Sequence, residues 1–146
     1  MQRDKGANAE RAAARFLACV HGMADASRRS TGEESQEAQG RDLKNTPGLC
    51  VQVKEMGAPS PLAALEEAIA AAAPREMPVA IVRQSRRGCS TPFRLVFTLD
   101  DALYLLEIER RFRECFPKRA DEIRQQLHTD VSVLVADDAS MKARRS

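Results

Sequence analysis

The alternation of apolar and polar positions predicts a chain that switches between helices and strands. Apolar residues recur at helical spacing over about 8–23, 61–73 and 98–116. Strict alternation or dense apolar runs, which are typical of strands, occur at 49–54, 77–84 and 92–99. With two shorter strands before 49, the order becomes helix, three strands, helix, two strands and helix. This order predicts an α/β fold with a mixed sheet flanked by helices.

Capping residues predict where the helices begin and end. Asn8 is the expected N-cap of a first helix that runs to about Met23 after a frayed N-terminus. Ser60 followed by Pro61 predicts the start of the second helix, which Pro74 ends. A third helix is expected to be capped at 98–101 and to stop at Pro117. The predicted buried residues of the second and third helices are Leu62, Leu65, Ile69, Leu103, Leu106 and Phe112.

Two stretches lack a strong periodic pattern. Residues 24–40 carry almost no large apolar side chains, which predicts a mobile loop. Residues 118–138 are expected to add a short helix at 121–127 and a strand at 131–136, before a loose basic tail at 140–146. We therefore divide the chain into a domain at 1–117 and a C-terminal extension at 118–146.

Composition limits the class of protein. A chain of 146 residues is long enough for one domain with its own core, and 4% aromatic residues against 43% hydrophobic residues predict an aliphatic core. A net charge of +2 excludes a bulk polycation. The arginines and lysines of the chain are nevertheless clustered. Such clusters are compatible with binding to a phosphate backbone, and ordinary surface charge is an equally good explanation for each one. These clusters are Arg28-Arg29, Arg83 with Arg86-Arg87, Arg110-Arg111-Arg113, Lys118-Arg119 and Arg144-Arg145.

Cysteine spacing and hydropathy bear on the compartment. The four cysteines are far apart in sequence, so no zinc or haem motif is present and reduced thiols in a cytosol are expected. No apolar run reaches the ~20 residues needed to span a membrane, and the N-terminus lacks the apolar region of a signal peptide. We expect a soluble protein of the cytoplasm that does not bind a membrane.

The segment at 41–55, RDLKNTPGLCVQVKE, carries the candidate chemistry. Strand alternation places Val51 and Val53 on one face and Gln52 with Lys54 on the other. The Pro-Gly turn lets Asp42 fold back beside them, but directly opposed strands would put Asp42 on the wrong face, so an irregular connection is predicted. An acid, an amide and an ammonium group would then share one face. An ordinary hairpin with a polar outer face is the alternative.

These residues resemble the core motif of the PD-(D/E)XK nuclease superfamily, in which an Asp and an acid-X-Lys triplet lie on adjacent strands. More narrowly, the chain resembles small Holliday junction resolvase-like endonucleases of actinobacterial phages over roughly residues 5–105. The matching residues are Gly6, Glu10, Asp42, Pro47-Gly48-Leu49, Val51-Gln52-Val53-Lys54, Pro78-Val79-Ala80-Ile81-Val82 and Leu99-Asp100-Asp101-Ala102-Leu103. Gln52 replaces the usual acid and Arg41 the usual proline, although some restriction enzymes of the superfamily work with Gln at that position.

The resemblance implies a restriction-endonuclease-like core of αβββαβ type, with its first strand at 28–31. It implies a metal-dependent DNA endonuclease that cuts branched, Holliday junction-like DNA during phage or bacterial recombination or repair, as a homodimer, in a bacterial or phage-infected cell. Mg²⁺, or Mn²⁺ in its place, would be held by Asp42, Gln52, the Val53 carbonyl and Glu10. Lys54 would orient or deprotonate the attacking water. DNA contacts would come from Arg28, Arg29, Arg41, Arg86 and Arg87.

Several alternatives stay open. Glu10 could instead be a first-turn acid that interacts favourably with the helix dipole. Glu67 lies near a position where the family often carries a Gln, but a solvated side chain is the favoured interpretation. For the whole protein, the alternatives are a catalytically weakened DNA-binding module on the same fold and a small α/β interaction protein without a nucleic-acid role.

Overall fold

The structure is a computed structural model that describes residues 2–29, 41–58, 60–86 and 89–144. Most of the predicted loop at 24–40, including residues 30–40, lies outside the described residues, as does Arg87. The elements in chain order are α1 (Gln2–Leu17), β1 (Ser27–Arg28), β2 (Leu43–Lys44), β3 (Leu49–Met56), α2 (Pro61–Ala71), β4 (Met77–Arg86), β5 (Cys89–Ser90), β6 (Arg94–Val96), α3 (Leu99–Cys115) and α4 (Pro117–Ala143).

The sheet is centred on β4. Strand β3 pairs with it in parallel over its whole length, from Leu49 opposite Met77 to Met56 opposite Gln84. On the other edge of β4, β6 and the short β5 pair antiparallel and form the predicted hairpin. Strands β1 and β2 form a separate antiparallel pair, and β1 covers only the start of the strand expected at 28–31. The chain is therefore α/β with a mixed sheet flanked by helices, as predicted.

The core lies on both faces of the two parallel strands. On one face, Val51, Val53, Val79 and Ile81 pack against α1 and against Leu43 of β2. The α1 residues on this face are Ala9, Ala13, Ala14 and Leu17. On the other face, Ala80 and Val82 pack against α2. Burial on both sides explains why β4 reads as an almost continuous apolar run.

Helix α1 begins and ends at different residues from those that the sequence predicts. It begins at Gln2, not after Asn8, and the Asn8 side chain accepts a hydrogen bond from Arg11 inside the helix instead of capping it. It ends at Leu17, not near Met23, because the next backbone hydrogen bonds shorten to three-residue spacing. Gly22 then takes a left-handed conformation, with φ of 84°.

The predicted start of α2 is confirmed, but the prediction of its buried residues is mostly wrong. Ser60 caps the helix by accepting a hydrogen bond from the Ala63 N–H at 3.2 Å. Leu65 is buried, whereas Leu62 is 74% exposed and Ile69 is 40% exposed. The buried face is completed by two alanines, Ala64 and Ala68, whose small side chains let the helix backbone lie close to the sheet.

The start of α3 is confirmed and its predicted burial is wrong. Thr98 caps the helix by accepting a hydrogen bond from the Asp101 N–H, and the helix ends just before Pro117. No residue of α3 is buried, and the three residues expected in the core are exposed: Leu103, Leu106 and Phe112. The apolar pattern is real, but no other part of the described chain covers it.

The C-terminal prediction is wrong in its elements. In place of a short helix, a strand and a loose tail, the structure has one helix of 27 residues, α4, over Pro117–Ala143. The valines that suggested a strand fit the helix, because Leu127, Val131 and Val135 recur at four-residue spacing and line a cavity of about 640 Å³ against α1 and β6. Asp138 pairs with the buried Arg83 at 3.0 Å and attaches α4 to β4.

None of the helices in the described part of the chain combines the length and apolar character needed to cross a membrane.

Candidate functional site

The turn between β2 and β3 places Asp42 beside β3. Asn45 and Gly48 take left-handed conformations, with φ of 58° and 76°, and tighten the turn. The Asp42 N–H donates to the Val51 carbonyl at 2.9 Å, while the Asp42 carboxylate accepts from the Val53 N–H at 2.7 Å. The Asp42 carboxylate thus accepts a hydrogen bond that a backbone carbonyl would accept in a regular antiparallel ladder. The predicted irregular connection is confirmed, and it brings Asp42 next to the main chain at Val53.

The polar face of β3 points toward α2. Gln52 Nε2 donates to Glu67 Oε2 at 2.8 Å, and Lys54 Nζ lies 2.8 Å from the same oxygen. Glu67 is 46% exposed, as expected of a solvated side chain, and it also contacts both motif residues. A signal was present in the sequence: Glu67 lies between Ala64 and Ala68, the small residues that let α2 approach the sheet.

Burial and neighbouring acids raise the pKa of Asp42 from its ordinary value of 3.8 to about 6. The largest cause is loss of hydration, and the negative charges of Glu10 and Glu67 act in the same direction. The Val53 N–H and the Lys54 ammonium oppose the rise. One electrostatic cluster therefore contains Asp42, Glu10, Lys54 and Glu67. Within it, the positive charge of Lys54 does not fully offset the negative charges of the carboxylates.

Gln52 contributes an oxygen without a protein partner. Its side chain is 4% exposed, and Oε1 is buried with no hydrogen-bond donor among the described residues. The amide orientation follows from its neighbour, because a carboxylate oxygen of Glu67 must face the amide NH₂ and not the amide oxygen. A buried acceptor without a donor is unfavourable, and a bound cation would relieve it.

Glu10 is near Asp42 but is already paired. The Arg28 side chain donates to its carboxylate, and the two side chains are about one-quarter and one-fifth exposed. Because α1 begins at Gln2, Glu10 lies in the third turn of the helix, so its interpretation as a first-turn acid is wrong. Glu10 supports the cluster through its charge while its oxygen is held by Arg28.

The arginines predicted to bind DNA are divided between two ends of the sheet. Arg41 forms a two-point contact with Glu76 beyond α2, and this hydrogen bonding raises the pKa of Arg41. Arg29 donates its backbone N–H to the Asp42 carbonyl. Arg86 lies at the C-terminal end of β4, where it donates to the Gly57 carbonyl at 3.0 Å. Among the predicted arginines that the structure describes, Arg28 and Arg29 lie beside Asp42, whereas the Arg41 side chain is held by Glu76.

In two of the basic clusters, arginines pair with acids. Arg83 is 5% exposed and is held by Glu55 at 2.7 Å and by Asp138, under the ring of Phe93. This also confirms that Glu55 points away from Lys54. The arginines of α3 pair with acids of the same helix or of α4. Arg83 is thus part of a buried ion pair, whereas Arg110 and Arg111 of α3 are 55% and 71% exposed.

The oxygen-bearing side chains fit one kind of metal site. Within the described ranges, no group of three or more His, Cys, Asp or Glu side chains is arranged to hold a metal ion. Mg²⁺ needs only one or two carboxylates, because it keeps several waters. Asp42 and Glu67 would supply two carboxylates and Gln52 Oε1 a neutral oxygen, whereas the described residues form no site with three acids.

Comparison with protein-family models, curated proteins and solved structures found no match to this chain. The functional assignment therefore depends on the chemistry of the cluster. An acid with a raised pKa, a paired ammonium group, a second carboxylate and a free amide oxygen together suit the binding of a hard cation and an anionic substrate.

Proposed function

We propose that the chain is a metal-dependent DNA endonuclease of the PD-(D/E)XK type, built on a restriction-endonuclease-like core. One observation carries the proposal: Asp42, Gln52 and Lys54, which the sequence motif singles out, converge with Glu67 at one edge of β3. Asp42 bonds to the N–H of Val53, and Glu67 joins the other two motif residues. An ordinary polar hairpin face gives no reason for a half-buried Asp with a raised pKa.

In this proposal Glu67 supplies the carboxylate that the motif lacks. Gln52 occupies the position of the usual acid, and an amide is a dipole that binds a cation more weakly than an anion does. Glu67 reaches the same place from α2, with its Oε2 at 2.8 Å from both Gln52 Nε2 and Lys54 Nζ. Asp42 and Glu67 then provide two charges, and Gln52 Oε1 provides a neutral oxygen. Glu10 adds charge at longer range.

Bound Mg²⁺ or Mn²⁺ would supply Lewis acidity and lower the pKa of a coordinated water, which phosphodiester hydrolysis requires. Asp42, Glu67, Gln52 and the Val53 main chain are the groups that would hold it. Lys54 would interact with the non-bridging phosphate oxygens and offset the negative charge that develops there. Arg28 and Arg29, on the β1 side of Asp42, would contact the neighbouring phosphates.

Branched DNA is the proposed substrate, on the basis of the sequence resemblance to junction-resolving endonucleases. Few aromatic side chains are available to stack on bases, since aromatics make up 4% of the chain. Recognition by backbone and shape is therefore favoured over recognition of base sequence. A homodimer, which the same resemblance implies, would present two equivalent sites to two strands of opposite polarity.

The test is cleavage of a labelled four-way junction and a matching linear duplex, with Mg²⁺, Mn²⁺ or EDTA. Wild type should cut the junction only with a divalent ion, and Asp42→Ala and Lys54→Ala should each lose the activity. Lys118→Ala, which removes an exposed lysine of α4, is the matched control and should remain active. If wild type cuts both substrates equally, the nuclease proposal stands and a preference for junctions is excluded.

A second candidate is a DNA-binding module with little or no turnover. The observation that favours it is the pairing of the acids near Asp42, because Arg28 holds the Glu10 carboxylate and Lys54 holds the Glu67 carboxylate. This candidate predicts salt-sensitive junction binding by wild type and no cleavage with either metal. Calorimetric titration with Mn²⁺ also distinguishes the two candidate functions. The endonuclease should bind the metal at Asp42, whereas a DNA-binding module needs no metal affinity there.

A further inference from the structure

The cavity of about 640 Å³ beneath α4 has the size and lining of a small-molecule site. Its walls come from α1, β4, residues 90–95 and α4, and most of the side chains on them are apolar. Two of these are the rings of Phe16 and Phe93, which lie edge to face with 5.7 Å between their centroids. Cavities of roughly 300–1,000 Å³ with apolar walls and a few polar groups are typical of ligand pockets. Asp42, Gln52 and Lys54 are not among the lining residues, so the cavity is separate from the candidate metal site.

Several apolar side chains that line this cavity are left in contact with solvent. Val131 and Val135 of α4 are 37% and 48% exposed, and Val20 and Leu95 are 40% and 51% exposed. Because Val20 follows α1 and Leu95 belongs to β6, the cavity opens to solvent between these two elements. A molecule that entered there would remove apolar surface on both sides from water, which is favourable.

Arg83 provides a buried polar group in the lining of the cavity. Its side chain is 5% exposed, and its two terminal nitrogens lie 2.7 Å from Glu55 and 3.0 Å from Asp138. The guanidinium is also fixed against the Phe93 ring, with 4.3 Å from Cζ to the ring centroid. The remaining nitrogen, Nε, is buried and has no acceptor among the described residues. A buried N–H without an acceptor is unfavourable, and an oxygen atom of a ligand would satisfy it.

The charges around Arg83 favour a ligand without a charge of its own. Glu55 and Asp138 place two carboxylates around one guanidinium, so the positive charge is already compensated. The charged residues among the described lining of the cavity are Arg83 and Asp138. An anionic group would therefore lose its hydration in an apolar space beside a surplus of negative charge. An uncharged acceptor oxygen meets neither cost.

We propose that this cavity binds an uncharged, mainly apolar small molecule that carries a ketone, ester or hydroxyl oxygen. The oxygen accepts a hydrogen bond from Arg83 Nε, and the apolar body packs between Phe93, α1 and the valines of α4. The site shares no residue with the proposed metal cluster, so it does not depend on the proposed nuclease activity.

The test compares three naphthalene derivatives that differ in one group: methyl naphthyl ketone, ethylnaphthalene and naphthoate. Each competes with prodan, an uncharged fluorescent naphthyl ketone, for the wild-type protein without DNA or divalent metal. The ketone should bind about 10-fold more tightly than ethylnaphthalene, because only the ketone can accept a hydrogen bond from Arg83. Naphthoate should bind more weakly than the ketone, since its carboxylate is charged.

Three variants locate the site. Val131→Trp should fill the cavity and weaken prodan binding by at least about 10-fold. Val133→Trp, two residues away on α4 and outside the lining of this cavity, is the matched control and should bind prodan like wild type. Arg83→Lys keeps a cation between Glu55 and Asp138 but has no Nε donor, so it should bind the ketone and ethylnaphthalene equally.

Four results would overturn the proposal. They are no saturable binding of prodan by wild type, prodan binding that Val131→Trp leaves unchanged, equal binding of the ketone and ethylnaphthalene by wild type, and naphthoate binding as tight as that of the ketone. If Val131→Trp loses helical circular dichroism, Val135→Trp, one turn further along α4, takes its place. Since the assay contains neither DNA nor metal, a failed ligand site and a failed nuclease remain separate outcomes.

Discussion

Replacing Asp42 by Asn should stabilise the protein at neutral and alkaline pH. The half-buried Asp42 carboxyl has a pKa of about 6 in place of 3.8, so the folded protein opposes its ionisation. Asn is nearly isosteric, carries no charge, and its side-chain oxygen can still accept the hydrogen bond from the Val53 N–H. The substitution therefore removes the unfavourable charge and keeps the contact that fixes the turn.

The sign of the pH dependence follows from linkage. A pKa that is higher in the folded state than in the unfolded state means that the folded state binds the proton more tightly. The stabilisation from the protonated Asp42 is fully present below about pH 4 and is lost as the pH rises through about 6. The difference between 3.8 and about 6 corresponds to roughly 3 kcal/mol, an upper limit, because the group retains some access to water.

The assay is thermal unfolding of wild type and Asp42→Asn in EDTA, at about pH 8 and about pH 4. For a chain of this size, 1 kcal/mol moves the midpoint by roughly 2–4 °C, so a gain of up to about 6–12 °C is expected at the higher pH. The gain should vanish at the lower pH. Asp137→Asn, at an exposed position of α4, controls for the change in net charge. An Asp42→Asn variant that is less stable than wild type at the higher pH would refute the reasoning.

Three further predictions concern stability, each measured by urea unfolding. Ser60→Ala should lower the free energy of unfolding by about 1 kcal/mol, because α2 loses its N-cap; no loss would mean that the cap is replaced. Glu55→Ala should cost about 1–3 kcal/mol, since the 5% exposed Arg83 loses one acidic partner and keeps Asp138. Glu109→Ala removes a surface ion-pair partner and should cost less than about 1 kcal/mol. Equal costs for the two Glu variants would contradict the difference in burial.

The parts of the fold that the sequence predicts well depend on local chemistry. Ser60 and Thr98 cap their helices because a hydroxyl next to free backbone N–H groups acts within one turn. The alternation along β3 sets its two faces, since a strand has a period of two residues. The Pro-Gly turn that brings Asp42 to β3 is also local, because its geometry involves only neighbouring residues.

The parts that the sequence does not predict depend on packing between distant elements. The burial of α2 by Ala64 and Ala68, and not by its larger residues, follows from how closely the helix lies on the sheet. The contact of Glu67 with Gln52 and Lys54 is a consequence of that packing. The exposure of α3 is the opposite case: a strong apolar pattern predicts burial, but it does not say which chain provides the cover.

If Glu67 supplies the carboxylate missing at Gln52, the rate of junction cleavage at limiting Mg²⁺ should depend on it, and this rate is the most direct measurement. Glu67→Gln should be slower than wild type by about 10–100-fold, as for loss of a group that holds or supports a metal. Glu66→Gln, one residue away and also exposed, should match wild type. The double variant Gln52→Glu, Glu67→Gln, which returns the acid to β3, should recover much of the rate. Cleavage by Glu67→Gln at the rate of Glu66→Gln would contradict the account.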